Sequence, residues 1–378
     1  MCTILRLNFS VRIVFLQKVF LRDTHIKSFA KELMPVFFMN FAYSPRNIPP
    51  VFILLLSLAL FSCQALERRP PFMADVSHIE IQPIEILRYE EVLFNLNPDA
   101  MYEELQPYLS KFGVFLGEAI HTPEGQQQLY EYITDPLVRQ LYADTREVWP
   151  SLENLEEDLT EAFRFYRYHF PDEPIPQFFS YISVLDHNYP IKYYDGVMVI
   201  GLDLYLGPNY EKYSQAGIQL FKQHRMQPAF VPVDVMRMMA EKHMQQSGFV
   251  PQHLLDFMIY EGTVLYFLDS TLPLTPDSLK MGYTADQQRW MEANLERVWT
   301  FFLENELLFS RDRRVIKQFV GDAPFTSPLG GNTPPRTAAF IGWRIVREFM
   351  RNNPTITLEQ LINKQDSQQI LQQSRFRP

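Results

Sequence analysis

The sequence predicts an α+β fold that is dominated by helices and contains one small β-sheet. Hydrophobic residues make up 47% of the chain and aromatic residues 14%, with only 14 glycines, which is typical of a packed core rather than a disordered chain. Capping signals open helical segments through most of the second half. Two apolar runs, 178–185 and 197–206, are rich in β-branched and aromatic residues and too short for helices, so we predict strands there.

The elements of the first half can be justified in chain order. Ile79 and Ile81 alternate with polar residues until Pro83 interrupts the run, which predicts an edge strand. Thr122 is a suitable N-cap, and Pro123 suits the first position of the helix that follows. The helices predicted in this half span 98–118, 124–146 and 151–169.

The second half is predicted to be helical after the two strands. The segment between the strands, 187–195, is predicted to be a turn. Capping boxes of the Thr-x-x-Gln type, at 284–287 and 357–360, open two of the helices. The segment 324–335 is rich in proline and glycine and is predicted to be a long loop. The helices predicted here span 230–247, 252–269, 285–309, 312–320, 338–352 and 358–364.

An apolar run near the N-terminus, 51–61, predicts export and lipidation. Its 11 residues are too few for a membrane-spanning helix of about 20 but suit the core of a signal peptide. The run ends in Leu60-Phe61-Ser62-Cys63, which resembles the bacterial lipobox, where the cysteine thiol takes the lipid. The alternative is a short buried core segment. We therefore expect Cys63 to be the lipidation site.

These signals divide the chain into expected parts. Met39 is the better start for the signal peptide, which is expected over 39–62, followed by a tether over 63–75 and a single globular domain over 76–378. We interpret residues 1–38 as an over-extended gene start. A basic amphipathic helix at a membrane surface is the alternative for that stretch.

Charge and cysteine content exclude several classes of function. A formal net charge of −9 with no clustered basic face argues against nucleic-acid binding. The cysteines are Cys2 and Cys63, so the expected domain has no thiol for a disulfide, a cysteine zinc site or a cysteine nucleophile.

Glu261 is the sharpest anomaly in the sequence. It lies in the middle of 254–268, a helix that is apolar on nearly every face and therefore predicted to be buried. An unpaired buried carboxylate costs several kcal/mol, so Glu261 needs a metal, an arginine or a proton. An ion pair with Arg237, Arg344 or Arg347 is the favoured interpretation.

A zinc peptidase would carry His-Glu-x-x-His on the preceding helix. Glu241 lies 20 residues before Glu261, a spacing that suits such a site, but Ala240 and Met244 occupy the histidine positions. His243 is roughly 200° around the helix from Glu241 and is predicted to face solvent.

Three other residues are site candidates. Asp203 follows an apolar strand and, with Tyr205, could line a pocket or simply precede the turn at 207–208. His253 is interpreted as a helix N-terminal residue. No nucleophile elbow and no phosphate-binding glycine loop is present in the sequence.

Five segments of the chain form a specific combination of motifs: 199–207, 258–269, 302–309, 323–325 and 341–347. In these segments the chain resembles one known family, the gliding-motility lipoproteins of the GldB family of Bacteroidota. The resemblance implies a role in gliding motility, which in these bacteria is linked to type IX secretion. It also implies a zincin-like architecture, in which Glu261-Gly262 matches the second helix and the first helix is degenerate.

We therefore expect a non-enzymatic lipoprotein without a cofactor, held at the cell envelope through Cys63 and facing the periplasm. Its expected partners are the lipid bilayer and protein components of the gliding and secretion apparatus, with no nucleic acid. The alternative is a zinc-dependent metallopeptidase with unorthodox ligands: Glu241, Glu261 and either His243 or His253. A third hypothesis is a ligand-binding module. The relic-site candidates are Glu241, Glu261, Asp203 and Tyr205.

Overall fold

The computed structural model describes residues 73–378, so the predicted gene start, signal peptide, lipobox and most of the tether lie outside the described residues. Helices dominate this part and a four-stranded sheet accompanies them, which confirms the α+β prediction. The helices of the first half are α1 (Tyr89–Phe94), α2 (Met101–Leu105), α3 (Gly113–Leu116), α4 (Pro123–Thr134), α5 (Pro136–Val148) and α6 (Glu153–His169).

Helices also make up most of the second half. They are α7 (Glu211–Gln215), α8 (Leu220–Gln223), α9 (Val231–Gln246), α10 (Leu254–Thr271), α11 (Asp277–Met281), α12 (Ala285–Ala293), α13 (Leu295–Glu304), α14 (Arg313–Val320), α15 (Thr337–Asn352), α16 (Leu358–Ile362) and α17 (Ser367–Ser374). The short helices α1, α7, α8, α11 and α17 were not predicted.

The sheet has the strand order β1-β2-β4-β3. The pairs β1–β2 and β2–β4 are parallel, whereas β3 pairs antiparallel with β4 at one edge. Both predicted apolar strands are present, as β2 and β4, and β3 lies in the segment predicted to be a turn. The strands are β1 (Ile86–Arg88), β2 (Gln177–Tyr181), β3 (Ile191–Tyr194) and β4 (Val197–Gly201).

The edge strand predicted around Ile79 and Ile81 is wrong, because regular pairing begins only at β1. The backbone N–H of Ile84 donates to Thr160 Oγ1 at 2.9 Å, and that of Ile86 donates to a carboxylate on the same helix, α6. Side chains of α6 therefore take hydrogen bonds that a neighbouring strand would otherwise accept.

Three predicted helices are each divided in the structure. The 98–118 segment is interrupted by Pro107 and ends at Gly117, whose φ is +51°. The 124–146 segment divides before Pro136, where Asp135 accepts hydrogen bonds from the first N–H groups of α5. The 285–309 segment divides at Asn294. The predicted caps at Thr122, 284–287 and 357–360 are confirmed.

Helix α10 lies at the centre of the fold and packs against α6, α9 and α15. Its approach to α15 is close because glycines face each other: a Cβ on Gly342 would lie 1.8 Å from the carbonyl oxygen of Met258, and one on Gly262 would lie 2.4 Å from that of Gly342. The buried apolar side chains form one contiguous core around this crossing. No helix within residues 73–378 has the length and apolar character needed to cross a membrane.

Candidate functional site

A cleft of about 800 Å³ opens beside helix α9 and contains several of the predicted site residues. Four α9 side chains form one wall: Asp234, Arg237, Met238 and Glu241. The other walls come from residues within 187–191, 204–205, 220–226, 281–287, 322–323 and 335–336. A larger groove of about 1170 Å³ runs along residues 77–85, but it is open to solvent and contains none of the predicted site residues.

Glu261 lies at the base of this region and is held by two arginines. Its Oε2 atom accepts a hydrogen bond from an NH1 group of Arg237 at 3.3 Å and from an NH2 group of Arg336 at 2.8 Å. The predicted ion pair with Arg237 is confirmed. Arg336 was not among the predicted partners, and Arg347 instead pairs with Asp269 and Asp277.

The two arginines set the charge state of Glu261. Burial alone would raise the pKa of this carboxyl group, but the nearby guanidinium groups of Arg336 and Arg237 outweigh it and hold the pKa below its usual value. Glu261 is therefore a carboxylate that is already neutralised by fixed cations.

Arg336 reaches Glu261 from an unusual backbone position. It is the N-cap of α15, directly after the proline-rich loop, and its φ of +55° places it in the left-handed region. Its NH1 group also donates to the carbonyl oxygen of Met281 at 2.9 Å. Nothing in the local sequence indicates the contact between Arg336 and Glu261, because the two residues are 75 positions apart and the loop brings them together.

Arg237 is incompletely paired. Its side chain is 13% exposed and lines the cleft. In the described part of the chain, its Nε and NH2 groups are buried without a hydrogen-bond acceptor. Burial and the positive charge of Arg336 lower the pKa of Arg237, and Glu261 compensates only in part. This guanidinium therefore has donors that the surrounding protein leaves unsatisfied.

A second ion pair lies farther along α9. Arg225 donates to Asp234 Oδ1 at 2.6 Å, and the hydroxyl of Tyr205 donates to Asp234 Oδ2 at 3.0 Å. Tyr205 is buried in the cleft wall, and burial together with Asp234 raises its pKa well above the usual value. Tyr205 therefore lines the cleft as a neutral hydrogen-bond donor.

Neither of the other two acidic candidates, Glu241 and Asp203, forms a hydrogen bond with Glu261. Glu241 lies 3.9 Å from NH1 of Arg237 and is 37% exposed, and partial burial raises its pKa. Asp203 is fully buried behind the cleft, where it accepts hydrogen bonds from the backbone N–H groups of Ser183 and Leu185. Through these hydrogen bonds Asp203 stabilises the segment that follows β2. It does not line the cleft, and its role is not limited to preceding the turn at 207–208.

The prediction for His243 was wrong, and that for His253 is confirmed. His243 is only 8% exposed, stacks on Phe170 and has its Nε2 atom 2.9 Å from the Tyr166 hydroxyl. It is buried because α9 packs against α6, a tertiary contact that the helix pattern alone does not show. His253 caps α10 together with Asp256.

These residues do not fit a zinc site. Guanidinium nitrogens occupy the positions beside Glu261 where other metal ligands would have to converge, and Ala240 and Met244 are buried apolar residues. Within residues 73–378, no three His, Cys, Asp or Glu side chains are grouped so that they could hold a metal ion.

A comparison with known protein families shows which family the chain belongs to. The family model described as "Gliding motility protein GldB" matches residues 70–378. The chain belongs to this family. The resemblance seen in the sequence is thereby confirmed, and the chain is assigned to the gliding motility proteins. No curated protein and no solved structure matches the chain.

Proposed function

We propose that this GldB-family chain is a lipid-anchored, non-enzymatic component that supports the gliding and type IX secretion machinery from the periplasmic side of a membrane. The observation that carries the proposal is the family match over residues 70–378. The lipobox-like sequence ending at Cys63 supports the anchor.

The arrangement around Glu261 supports a role without catalysis. A peptidase of the zincin type needs a metal to activate water and polarise the scissile carbonyl. Here the charge of Glu261 is balanced by Arg237 and Arg336, and the positions for the histidine pair hold Ala240 and Met244. The same carboxylate instead links α10 to the start of α15 and to α9.

Complementation of a gene deletion tests the anchor. The wild-type gene should restore colony spreading and secretion, whereas Cys63→Ser should release the protein from the membrane fraction and reduce spreading. Retention of Cys63→Ser in the membrane fraction would contradict the lipid anchor, and full spreading with the released protein would contradict a role for the anchor in motility. Cys2→Ser is the matched control and should behave as wild type. Removal of the protein by protease treatment of intact cells would contradict the periplasmic location.

A second set of variants tests the absence of catalysis. Glu241→Gln alters the position that a zincin would use as general base, and Glu304→Gln is an exposed helical control. Both should support wild-type spreading at wild-type protein levels. Loss of spreading with Glu241→Gln alone, together with stoichiometric zinc in the purified protein by mass spectrometry, would overturn the non-enzymatic role in favour of the metallopeptidase.

A further inference from the structure

The cleft beside α9 combines cationic groups with apolar walls. Four cationic side chains line it: Lys222, Arg225, Arg237 and Arg336. Phe221, Met238, Met281 and Tyr283 provide apolar surface in the same walls. A volume of about 800 Å³ is within the range of cavities that hold small organic ligands.

The cations differ in how completely the protein pairs them. Arg225 binds Asp234 at 2.6 Å, and Arg336 binds Glu261, the Met281 carbonyl oxygen and, at 3.8 Å, the carboxylate of Asp322. Arg237 shares Glu261 with Arg336 and leaves two nitrogens without acceptors in the described part of the chain. A buried donor without an acceptor destabilises the protein, and the cost is greater for a charged group. An acceptor that enters the cleft would recover this cost.

The balance of charge limits the kind of anion that fits. The acidic groups of the cleft are Asp234, Glu241 and Asp322, with Glu261 behind them. Four carboxylates thus stand against the four cations, so a doubly charged anion would meet a site with little net positive charge. A single negative charge placed on the planar fork of Arg237 is better matched, because a carboxylate accepts its two donors side by side.

We propose that this cleft binds a ligand that carries a carboxylate on an apolar body, with Arg237 as the residue that binds the carboxylate. The apolar body packs on the Phe221 and Met238 side of the cleft, and a modest rotation of the Arg237 side chain presents its unpaired nitrogens to the ligand. A peptide C-terminus and a simple organic acid share this chemistry. The site is independent of the lipid anchor and of any catalysis.

Calorimetric titration of the full-length chain in detergent tests the ligand class. The probes are N-acetyl-leucyl-phenylalanine, 3-phenylpropionate, the amide of each, and inorganic phosphate. At least one carboxylate should bind, with its amide at least about 10-fold weaker, because a charge-assisted hydrogen bond is lost. Preference for the first probe identifies a peptide ligand, and equal binding identifies the simple acid. Binding of neither carboxylate at 10 mM, equal binding of acid and amide, or tighter binding of phosphate would each overturn the proposal.

Variants test the role of Arg237 directly. Arg237→Gln should weaken carboxylate binding by about 10- to 100-fold. Arg351→Gln, which removes an exposed arginine of α15 outside the cleft, should leave it unchanged. If Arg237→Gln does not fold, Lys222→Glu provides the second variant, since it reverses a charge in the cleft wall and should weaken binding at least 5-fold. Wild-type affinity in the folded Arg237 variant, or in Lys222→Glu, would contradict the assignment.

Discussion

Two acidic residues of α10, Glu261 and Asp269, each form a cluster with basic side chains. The two clusters differ in how many of their polar atoms have hydrogen-bond partners. Both connect α10 to α15, and the glycine crossing at Gly262 and Gly342 lies between them. Glu261 lies beside the cleft and is 19% exposed, whereas the side chain of Asp269 is fully buried. The comparison separates a cluster that stabilises the fold from one that is open to a ligand.

The Asp269 cluster is fully satisfied. Oδ1 accepts from Lys280 Nζ at 3.0 Å and from Arg347 NH2 at 2.6 Å, and Oδ2 accepts from Trp343 Nε1 at 2.8 Å and Arg347 Nε at 2.7 Å. Arg347 also binds Asp277 and stacks on Trp343. Every atom of this carboxylate that needs a partner has one, which is how a buried charge is tolerated.

The cluster at Glu261, in contrast, is not fully satisfied. Its carboxylate serves two guanidiniums through a single oxygen, and Arg237 retains unpaired donors beside a cleft. A network selected only for stability would supply the missing acceptors, as the Asp269 cluster does. The ligand proposed for the cleft would supply the acceptors that Arg237 lacks.

The largest effect is expected from breaking the closed cluster. Asp269→Asn keeps the volume but removes the fully buried carboxylate that Lys280 and Arg347 share, so the free energy of unfolding should fall by about 3–5 kcal/mol. Chemical denaturation measures it. Asp277→Asn, at the 32% exposed edge of the same network, should cost only about 1 kcal/mol. Equal losses would show that burial does not distinguish the two carboxylates.

The crossing between the clusters provides the next test. Gly342→Ala places a Cβ 1.8 Å from the Met258 carbonyl oxygen, so α10 and α15 must separate at a cost of about 3 kcal/mol in unfolding free energy. Gly331→Ala is the matched control, because a Cβ there meets no atom within 4 Å and should leave the stability unchanged. A stable Gly342→Ala protein with an unchanged melting temperature would contradict the close approach.

A pH-dependent effect comes from His243, which packs against α6 away from both clusters. Burial lowers its pKa to about 4, against an unfolded value of about 6.5, so its neutral form stabilises the fold above pH 6.5. This stability is lost as the pH falls from 6.5 towards 4. Between pH 7.5 and pH 5 the free energy of unfolding should drop by about 2 kcal/mol more in wild type than in His243→Gln. The exposed His121→Gln variant should show the full wild-type drop.

The smallest effect is expected at Arg237 of the open cluster. Arg237→Gln removes the ion pairs with Glu261 and, at 3.9 Å, Glu241, but also removes two unpaired buried donors, so the free energy of unfolding should change by less than about 1 kcal/mol. Arg336→Gln loses the bonds to Glu261 and Met281 and should cost about 2–3 kcal/mol. A loss of 3 kcal/mol or more with Arg237→Gln would place this arginine among the stabilising residues and weaken the contrast.

Local sequence signals correctly predicted helix caps and two strands, because these features depend on residues close together in the chain. The Thr122 cap and the capping boxes at 284–287 and 357–360 follow from side chains that bind N–H groups two or three residues away. The two apolar strands were predicted from their β-branched and aromatic residues and their short length, which are also local properties. Boundaries failed where a single proline or asparagine divided a longer periodic segment, as at Pro136 and Asn294.

The candidate site was predicted only in part. The apolar surroundings of Glu261 in the sequence required a partner for it, and Arg237, 24 residues away on the preceding helix, was among the residues proposed. Arg336 and the Arg225–Asp234 pair were missed, because loops bring the two arginines to the cleft and no periodic pattern marks them. The exposure predicted for His243 failed because α6 covers that face of α9.

The sequence by itself determined the helix-rich class, the family and the need to neutralise Glu261, because composition, motifs and a charge in an apolar helix are local properties. Only the tertiary structure decided which cations neutralise it. Ion pairing depends on the positions of side chains distant in sequence, and the close crossing of α10 and α15 sets those positions. The same packing gives both oxygens of Asp269 hydrogen-bond donors and leaves two nitrogens of Arg237 without acceptors in the described part of the chain.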